Sequence, residues 1–144
     1  MEKSFSSIVN KEKHGLGGVV KTLASAFSGD LVFVVSPATV TPAPRSTAWT
    51  RTVKVYLKNA AGDIHTWFSK AIATGVSIAD TSTAGAATIP STTLTFIEGV
   101  ATVVVSGDAQ AWLNTETDTL TVPQATILGY TVAAKTSVET FTTP

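Results

Sequence analysis

Between Trp49 and Lys58 the side chains alternate without a break. Trp49, Arg51, Val53, Val55 and Leu57 fall on one side, and Thr50, Thr52, Lys54, Tyr56 and Lys58 on the other. A period of two belongs to a strand with one face turned to a core, and a helix does not reproduce it. The rest of the chain points to the same class. Roughly a quarter of its 144 residues are Ser or Thr, and β-branched Thr favours strands. Residues 31–35 read as a short buried strand closed by Ser36 and Pro37, after which Pro37, Pro42 and Pro44 make an edge or a loop. Residues 59–63 supply a turn and residues 64–68 a returning strand. Residues 72–79 form another strand, with Ile72, Val76 and Ile78 on one face. Residues 92–97 and 100–105 flank Glu98-Gly99, a two-residue hairpin connection. Residues 117–122 end at Pro123, and residues 126–132 and 137–141 follow as one bent strand or two. Residues 80–90 read as a loop of Thr, Ser, Ala and Gly. About seven short strands separated by turn signals predict an all-β fold, a β-sandwich. Arg51 is expected near the less buried end of its strand.

Residues 1–29 follow a different rule. Leu16, Val19, Val20, Leu23 and Phe27 recur at the three- and four-residue steps of an amphipathic helix, with Gly29 as a stop. Gly15, Gly17 and Gly18 weaken its start by about 1 kcal/mol each. The lead carries Lys3, Lys11, Lys13, His14, Glu2 and Glu12, with Phe5, Ile8 and Val9 as its apolar residues. Two readings stay open: a frayed terminus or helix lying across the domain, and an arm, helical or extended, that orders only against a partner. The division is therefore residues 1–29 as arm and residues 30–144 as sandwich. Since residues 1–30 carry four lysines against three acids, any arm contact rests on Phe5, Ile8, Leu16, Val19, Val20, Leu23 and Phe27 rather than on charge.

Composition narrows the function. A hydrophobic fraction of 44% supports a packed core, while charged residues, at 14%, fall below the roughly 25% usual in soluble domains. Ten basic and ten acidic residues cancel, which argues against a broad basic surface and so against nucleic acid as a partner. That neutrality conceals a division: residues 1–70 hold nine Lys/Arg and four Asp/Glu, and residues 71–144 hold one Lys and six acids. Interleaving of strands from the two halves would average it out. Without cysteine there is no disulfide, thiol nucleophile or cysteine-bound zinc. No apolar run approaches the roughly 18 residues of a membrane span. The N-terminal apolar stretch is too thin for a secretory signal, so a protein made and kept in the cytoplasm, or assembled there into something larger, is expected.

Candidate chemistry is sparse. His14 and His65 are the only histidines, and no Gly-x-Ser-x-Gly turn presents a nucleophile. Asp63 and His65, two apart on an expected strand, would share a face and could pair or bind a metal. Asp108, Glu116 and Asp118 could collect calcium, although their spacing is looser than such sites use. Gly15-Leu-Gly-Gly18 lacks the preceding strand of a phosphate loop, and no cofactor or metal is expected. Of Trp49, Trp67 and Trp112, at least one should plug the core; an exposed one would suit a carbohydrate or a protein contact.

The block Val53-Lys-Val-Tyr-Leu-Lys-Asn-Ala-Ala-Gly-Asp63 resembles the strand-and-turn signature of bacterial immunoglobulin-like domains of the invasin type. Thr93-Leu-Thr-Phe-Ile-Glu-Gly-Val-Ala-Thr-Val-Val-Val105 resembles a later hairpin of those domains, and Val35-Ser-Pro-Ala-Thr39 their first strand. The likeness spans residues 31–122 and implies an immunoglobulin-like sandwich. Similar domains stand in tandem in secreted adhesins, or singly on virion proteins of tailed bacteriophages, capsid decoration proteins among them. One copy, no signal and a non-β N-terminal segment favour the phage setting, and Gly62-Asp-Ile-His-Thr-Trp-Phe68 is similar to phage structural proteins of this kind. The resemblance thus implies a non-enzymatic protein of the capsid surface, made in the host cytoplasm and docking through its arm on the major capsid protein, another virion protein or a copy of itself. The alternatives are an adhesin or tail-associated module that binds carbohydrate or a receptor, and a hydrolase built on a sandwich.

Overall fold

The computed structural model describes residues 31–36, 39–42, 47–109 and 112–142, with residues 39–42 described by their backbone. The described residues are all-β. The strands are β1 (Val32–Val35), β2 (Thr39–Pro42), β3 (Trp49–Lys58), β4 (Ala71–Ile72), β5 (Ser77–Asp80), β6 (Ala87–Thr88), β7 (Leu94–Thr95), β8 (Val100–Gly107), β9 (Thr117–Val122), β10 (Ala125–Ile127), β11 (Tyr130–Val132) and β12 (Lys135–Thr142). One four-stranded sheet has the order β1-β3-β8-β6 and a second the order β2-β12-β9-β5, while β4-β7 and β10-β11 form two small pairs. Every pairing is antiparallel except that of β2 with β12.

The alternation at Trp49–Lys58 produces the longest strand, and its inward residues Val53, Val55 and Leu57 are fully buried. The inward residues of β9 and β12, among them Leu120, Val122 and Phe141, belong to the same apolar cluster, so the two sheets enclose one core. At one end of that core Phe33 stacks on Phe96 at 6.1 Å, and Phe68 meets Phe96 edge-on at 5.4 Å. At the other end Trp49, Trp112 and Phe141 pack together with ring centroids 4.7–5.3 Å apart. Each fully buried Val, Leu or Phe side chain stabilises the fold by about 1.5–3 kcal/mol.

Between β1 and β2 the chain leaves one sheet for the other. Ser36 closes the first ladder: its N–H donates to the Lys54 carbonyl (2.9 Å), and its hydroxyl accepts from the Lys54 N–H (2.7 Å). Pro42 then lies on β2, an edge strand, where a missing N–H is tolerated. The hairpin at Glu98-Gly99 forms as expected, both residues having positive φ (49° and 78°), as a type I′ turn requires. Residues 117–122 pair over the expected span. The expectation of one bent strand or two over residues 126–132 and 137–141 is corrected: a second turn of the same kind, Leu128-Gly129, divides residues 126–132 into the β10-β11 hairpin, and β12 follows as a third strand.

Two further expected strands are corrected. Residues 64–68 do not return as a strand: Ile64 makes an isolated bridge to Lys58, and the chain then turns, the Phe68 N–H donating to the His65 carbonyl at 3.0 Å. The turn carries Phe68 into the core beside Phe96, which a straight continuation would not do. Residues 72–79 are likewise interrupted. Gly75, at φ 74°, breaks the run, so β4 joins β7 while β5 joins the second sheet. Ile72, Val76 and Ile78 nevertheless all turn toward the core.

Trp49 lies over Gly107, its cross-strand partner on β8. A Cβ on Gly107 would fall 2.0–2.4 Å from three atoms of the Trp49 indole. That indole is held by Trp112 and Phe141 and cannot swing aside. Gly107→Ala is therefore expected to destabilise the domain by about 1–3 kcal/mol, the usual cost of overpacking, read as a lower urea midpoint.

Candidate functional site

Three charged residues lie in phase with apolar strand faces, and the structure brings them together inside the core. Arg51 projects from β3 toward the second sheet. There Asp118 on β9 and Glu139 on β12 are direct cross-strand partners whose side chains both face inward. Two like charges in that position repel. Arg51 lies between them. Its Nε donates to both Asp118 oxygens (3.1 and 3.2 Å), and its Nη2 donates to Asp118 Oδ1. Its Nε is also 3.1 Å from Glu139 Oε2, and its Nη1 donates to the Ser137 hydroxyl at 3.2 Å. The Arg51 side chain is only 10% exposed, Asp118 not at all, and Arg51 stands, as expected, at the less buried end of β3, where it and Trp49 are half-buried while Val53, Val55 and Leu57 are fully buried. The guanidinium is needed where the carboxylates are, and they lie between the Trp49–Phe141 layer and the Val53–Leu120 layer.

Asp108, Glu116 and Asp118, weighed above as a loose calcium set, do not come together. Each carboxylate is engaged elsewhere. Asp118 holds Arg51, Asp108 accepts the Ala86 N–H at 3.1 Å, and Glu116 accepts those of Thr83 (3.1 Å) and Leu113 (2.6 Å). Together with Asp80, which accepts the Ala87 N–H at 3.0 Å, they tie down the Ser-, Thr- and Ala-rich loop of residues 80–87. Among the described residues, no group of three or more His, Asp or Glu could hold a metal ion.

Asp63 and His65 do not share a site. Asp63 closes the turn with Asn59, whose side-chain oxygen accepts the Asp63 N–H at 2.8 Å. His65 is buried, and its Nδ1 accepts the Trp67 indole N–H at 3.0 Å. The tryptophans divide as expected. Trp112 is fully buried and Trp49 packs against the core, whereas Trp67 is 46% exposed. Among the described residues the first sheet joins strands of both halves, and Arg51 of the first half meets Asp118 and Glu139 of the second; Lys3, Lys11, Lys13, Lys21 and Arg45 lie outside the described residues. His14 and the arm residues Phe5, Ile8, Leu16, Val19, Val20, Leu23 and Phe27 lie outside the described residues.

Among the described residues, one end of the sandwich gathers exposed apolar side chains beside a depression. The turn at residues 59–63, the segment 64–70, the Glu98-Gly99 turn and the β10-β11 hairpin meet there. The Gly99 N–H donates to the Phe68 carbonyl at 2.8 Å, and the Glu98 N–H to the Ser69 hydroxyl at 2.8 Å. Ile97 (69% exposed) and Leu128 (52%) stand out from this end, as does Trp67. A depression of about 90 Å³ lies between Phe68, Lys70 and Ile72 on one side and Thr126, Ile127 and Leu128 on the other. Small-molecule sites usually enclose about 300–1,000 Å³, so its size suits a side chain of a macromolecule better than a substrate. No protein-family model matches the chain, and no curated protein matches it.

Proposed function

We propose that the chain is a non-enzymatic structural protein of a phage virion. Its immunoglobulin-like sandwich would stand outward on the capsid, and residues 1–29 would dock on the major capsid protein, another virion protein or a neighbouring copy. The observation that carries the immunoglobulin-like reading is the strand order. With β2 set aside, β1-β3-β8-β6 and β12-β9-β5 follow the four-plus-three arrangement of a constant-type immunoglobulin sandwich. The virion setting rests on the resemblance of residues 31–122 to invasin-type immunoglobulin-like domains, which also occur singly on virion proteins of tailed phages. Attachment would be adhesive: burial of the arm's apolar side chains at about 25 cal/mol per Å² offsets the entropy of ordering it, and many copies on a lattice make it durable.

The test is mass spectrometry of virions purified from the phage whose genome encodes the chain, followed by rebinding of the full chain and of residues 30–144 to virions stripped of it. The full chain is expected to rebind and the truncated chain to be lost on washing. Absence from the particle would end the proposal.

A second reading, a carbohydrate- or receptor-binding module, is favoured by one observation. Trp67 presents its indole at the surface, oriented by a hydrogen bond to His65, and a fixed aromatic face suits stacking on a sugar. Glycan-array binding abolished by Trp67→Ala would support it.

A further inference from the structure

We propose that the exposed apolar end of the sandwich is the seat of residues 16–27 of the same chain. This goes beyond the virion reading and stands without it; a virion partner, where there is one, would compete with this seat.

The need comes from the sequence. Leu16, Val19, Val20, Leu23 and Phe27 make one apolar stripe. A helix of about 12 residues is marginal in water by itself, and three glycines at its start weaken it further, so it requires an apolar face to pack on. The structure offers one within reach. Residue 31 enters β1, whose Val32 is the register partner of Lys58, and Phe33 stacks on Phe96 of the segment leading to the Glu98-Gly99 turn. The N-terminal segment therefore joins the domain at the end that exposes Ile97 and Leu128. In the first sheet only β3 separates β1 from β8, which places that turn about 10 Å away across the strands. Residues 28–30 span about 10 Å when extended.

Size and shape agree. A helix over residues 16–27 is about 18 Å long, enough to cross the roughly 10 Å between two packed sheets and run from the Glu98-Gly99 turn to the β10-β11 hairpin. The depression beside Leu128 has the volume of a side chain and is lined by Phe68, Ile72 and Ile127 together with Lys70 and Thr126, so an apolar residue of the stripe can enter it. The short tether favours the chain's own segment over that of a second copy, because it holds the two at an effective concentration in the millimolar range.

The absence of cysteine permits a direct test. A nitroxide label is placed on Thr66→Cys, and separately on Gln124→Cys, beside the seat and outside it, in the isotope-labelled full chain, and amide signals are read for paramagnetic broadening. Both positions are exposed, so labelling leaves the core intact. The amides of residues 16–27 are expected to lose most of their intensity with either label, and to regain it when Leu23→Asp and Phe27→Asp are added. A mixture of isotope-labelled chain without nitroxide and nitroxide-bearing chain without isotope is expected to show no such loss. Full intensity of residues 16–27 with both labels would overturn the proposal, and so would broadening of equal size in the mixture, which would assign the seat to a second copy. Virion binding enters none of these readouts, so failure here is separable from failure of the capsid reading.

Discussion

Arg51→Met is expected to destabilise the domain by about 3–5 kcal/mol, the cost of breaking a buried charge pair by removing one partner. The size of the effect follows from what is left behind. Asp118 and Glu139 are cross-strand neighbours on the inner face of the second sheet. Without the guanidinium they would face each other across a core that offers Leu120, Phe141 and Val53 as surroundings. Met retains most of the aliphatic stem, so the loss is electrostatic rather than a packing defect. The check is equilibrium urea unfolding of the wild type, Arg51→Met and the triple variant Arg51→Met, Asp118→Leu, Glu139→Leu. The triple variant removes all three charges together and is expected to recover most of the loss, because an apolar replacement of a whole buried ion cluster is often neutral or stabilising by about 1–4 kcal/mol. A single variant as stable as the wild type would show that the cluster is solvated in solution.

Trp112→Ala is expected to cost about 3–5 kcal/mol, the range for removing a large buried aromatic side chain. Trp112 is fully buried and packs against both Trp49 and Phe141. It also lies so close to Gly85 that a Cβ there would be 2.6 Å from its indole nitrogen. Losing it would release the loop of residues 80–87 from the core as well as open a cavity. That loop would remain fastened by its hydrogen bonds to Asp80, Asp108, Glu116 and Thr117 and by the short β6-β8 pairing, so its amides should exchange faster with solvent than those of β3 and β8. Trp112→Phe is the informative companion. It keeps an aromatic ring against Phe141 and removes an indole N–H that is buried with no hydrogen-bond partner, a group whose burial costs about 1–3 kcal/mol. Its loss of stability should be clearly smaller than that of Trp112→Ala.

How far the sequence discloses the fold depends on whether local pattern or distant packing decides each segment. The alternation of Trp49–Lys58, the span of residues 117–122 and the Glu98-Gly99 turn are local properties, and each is legible. Residues 64–68 fail because their course is set by Phe96, about thirty positions away. The interruption of residues 72–79 carries a visible signal in Gly75, a residue that tolerates positive φ without strain. The small strands β6 and β7 carry only two residues each, too few for any period. The parallel pairing of β2 with β12 depends on a contact across most of the chain and leaves no local trace.

The buried ion cluster was within reach of the same pattern. Arg51 keeps phase with Val53 and Val55, Asp118 with Leu120 and Val122, and Glu139 with Phe141. A charged residue in phase with an apolar face is either at a strand's open end or paired inside. Three such residues of complementary sign on separate strands favour the second. What periodicity cannot supply is the sheet order that brings β3 opposite β9 and β12. Asp108, Glu116 and Asp118 do not form one cluster for a related reason. Nearness in sequence is a poor guide in a strand–loop–strand segment, where Asp118 points inward and Asp108 and Glu116 serve loop N–H groups.

The central claim, a virion protein attached through its arm, is tested most directly by counting copies on purified particles. Stripped virions are incubated with an excess of either the full chain or residues 30–144, washed, and imaged by cryo-electron microscopy with occupancy measured per capsid site. The account predicts full, lattice-regular occupancy with the complete chain and bare capsids with the truncated one. Equal occupancy by both chains, or bare capsids with both, would contradict it.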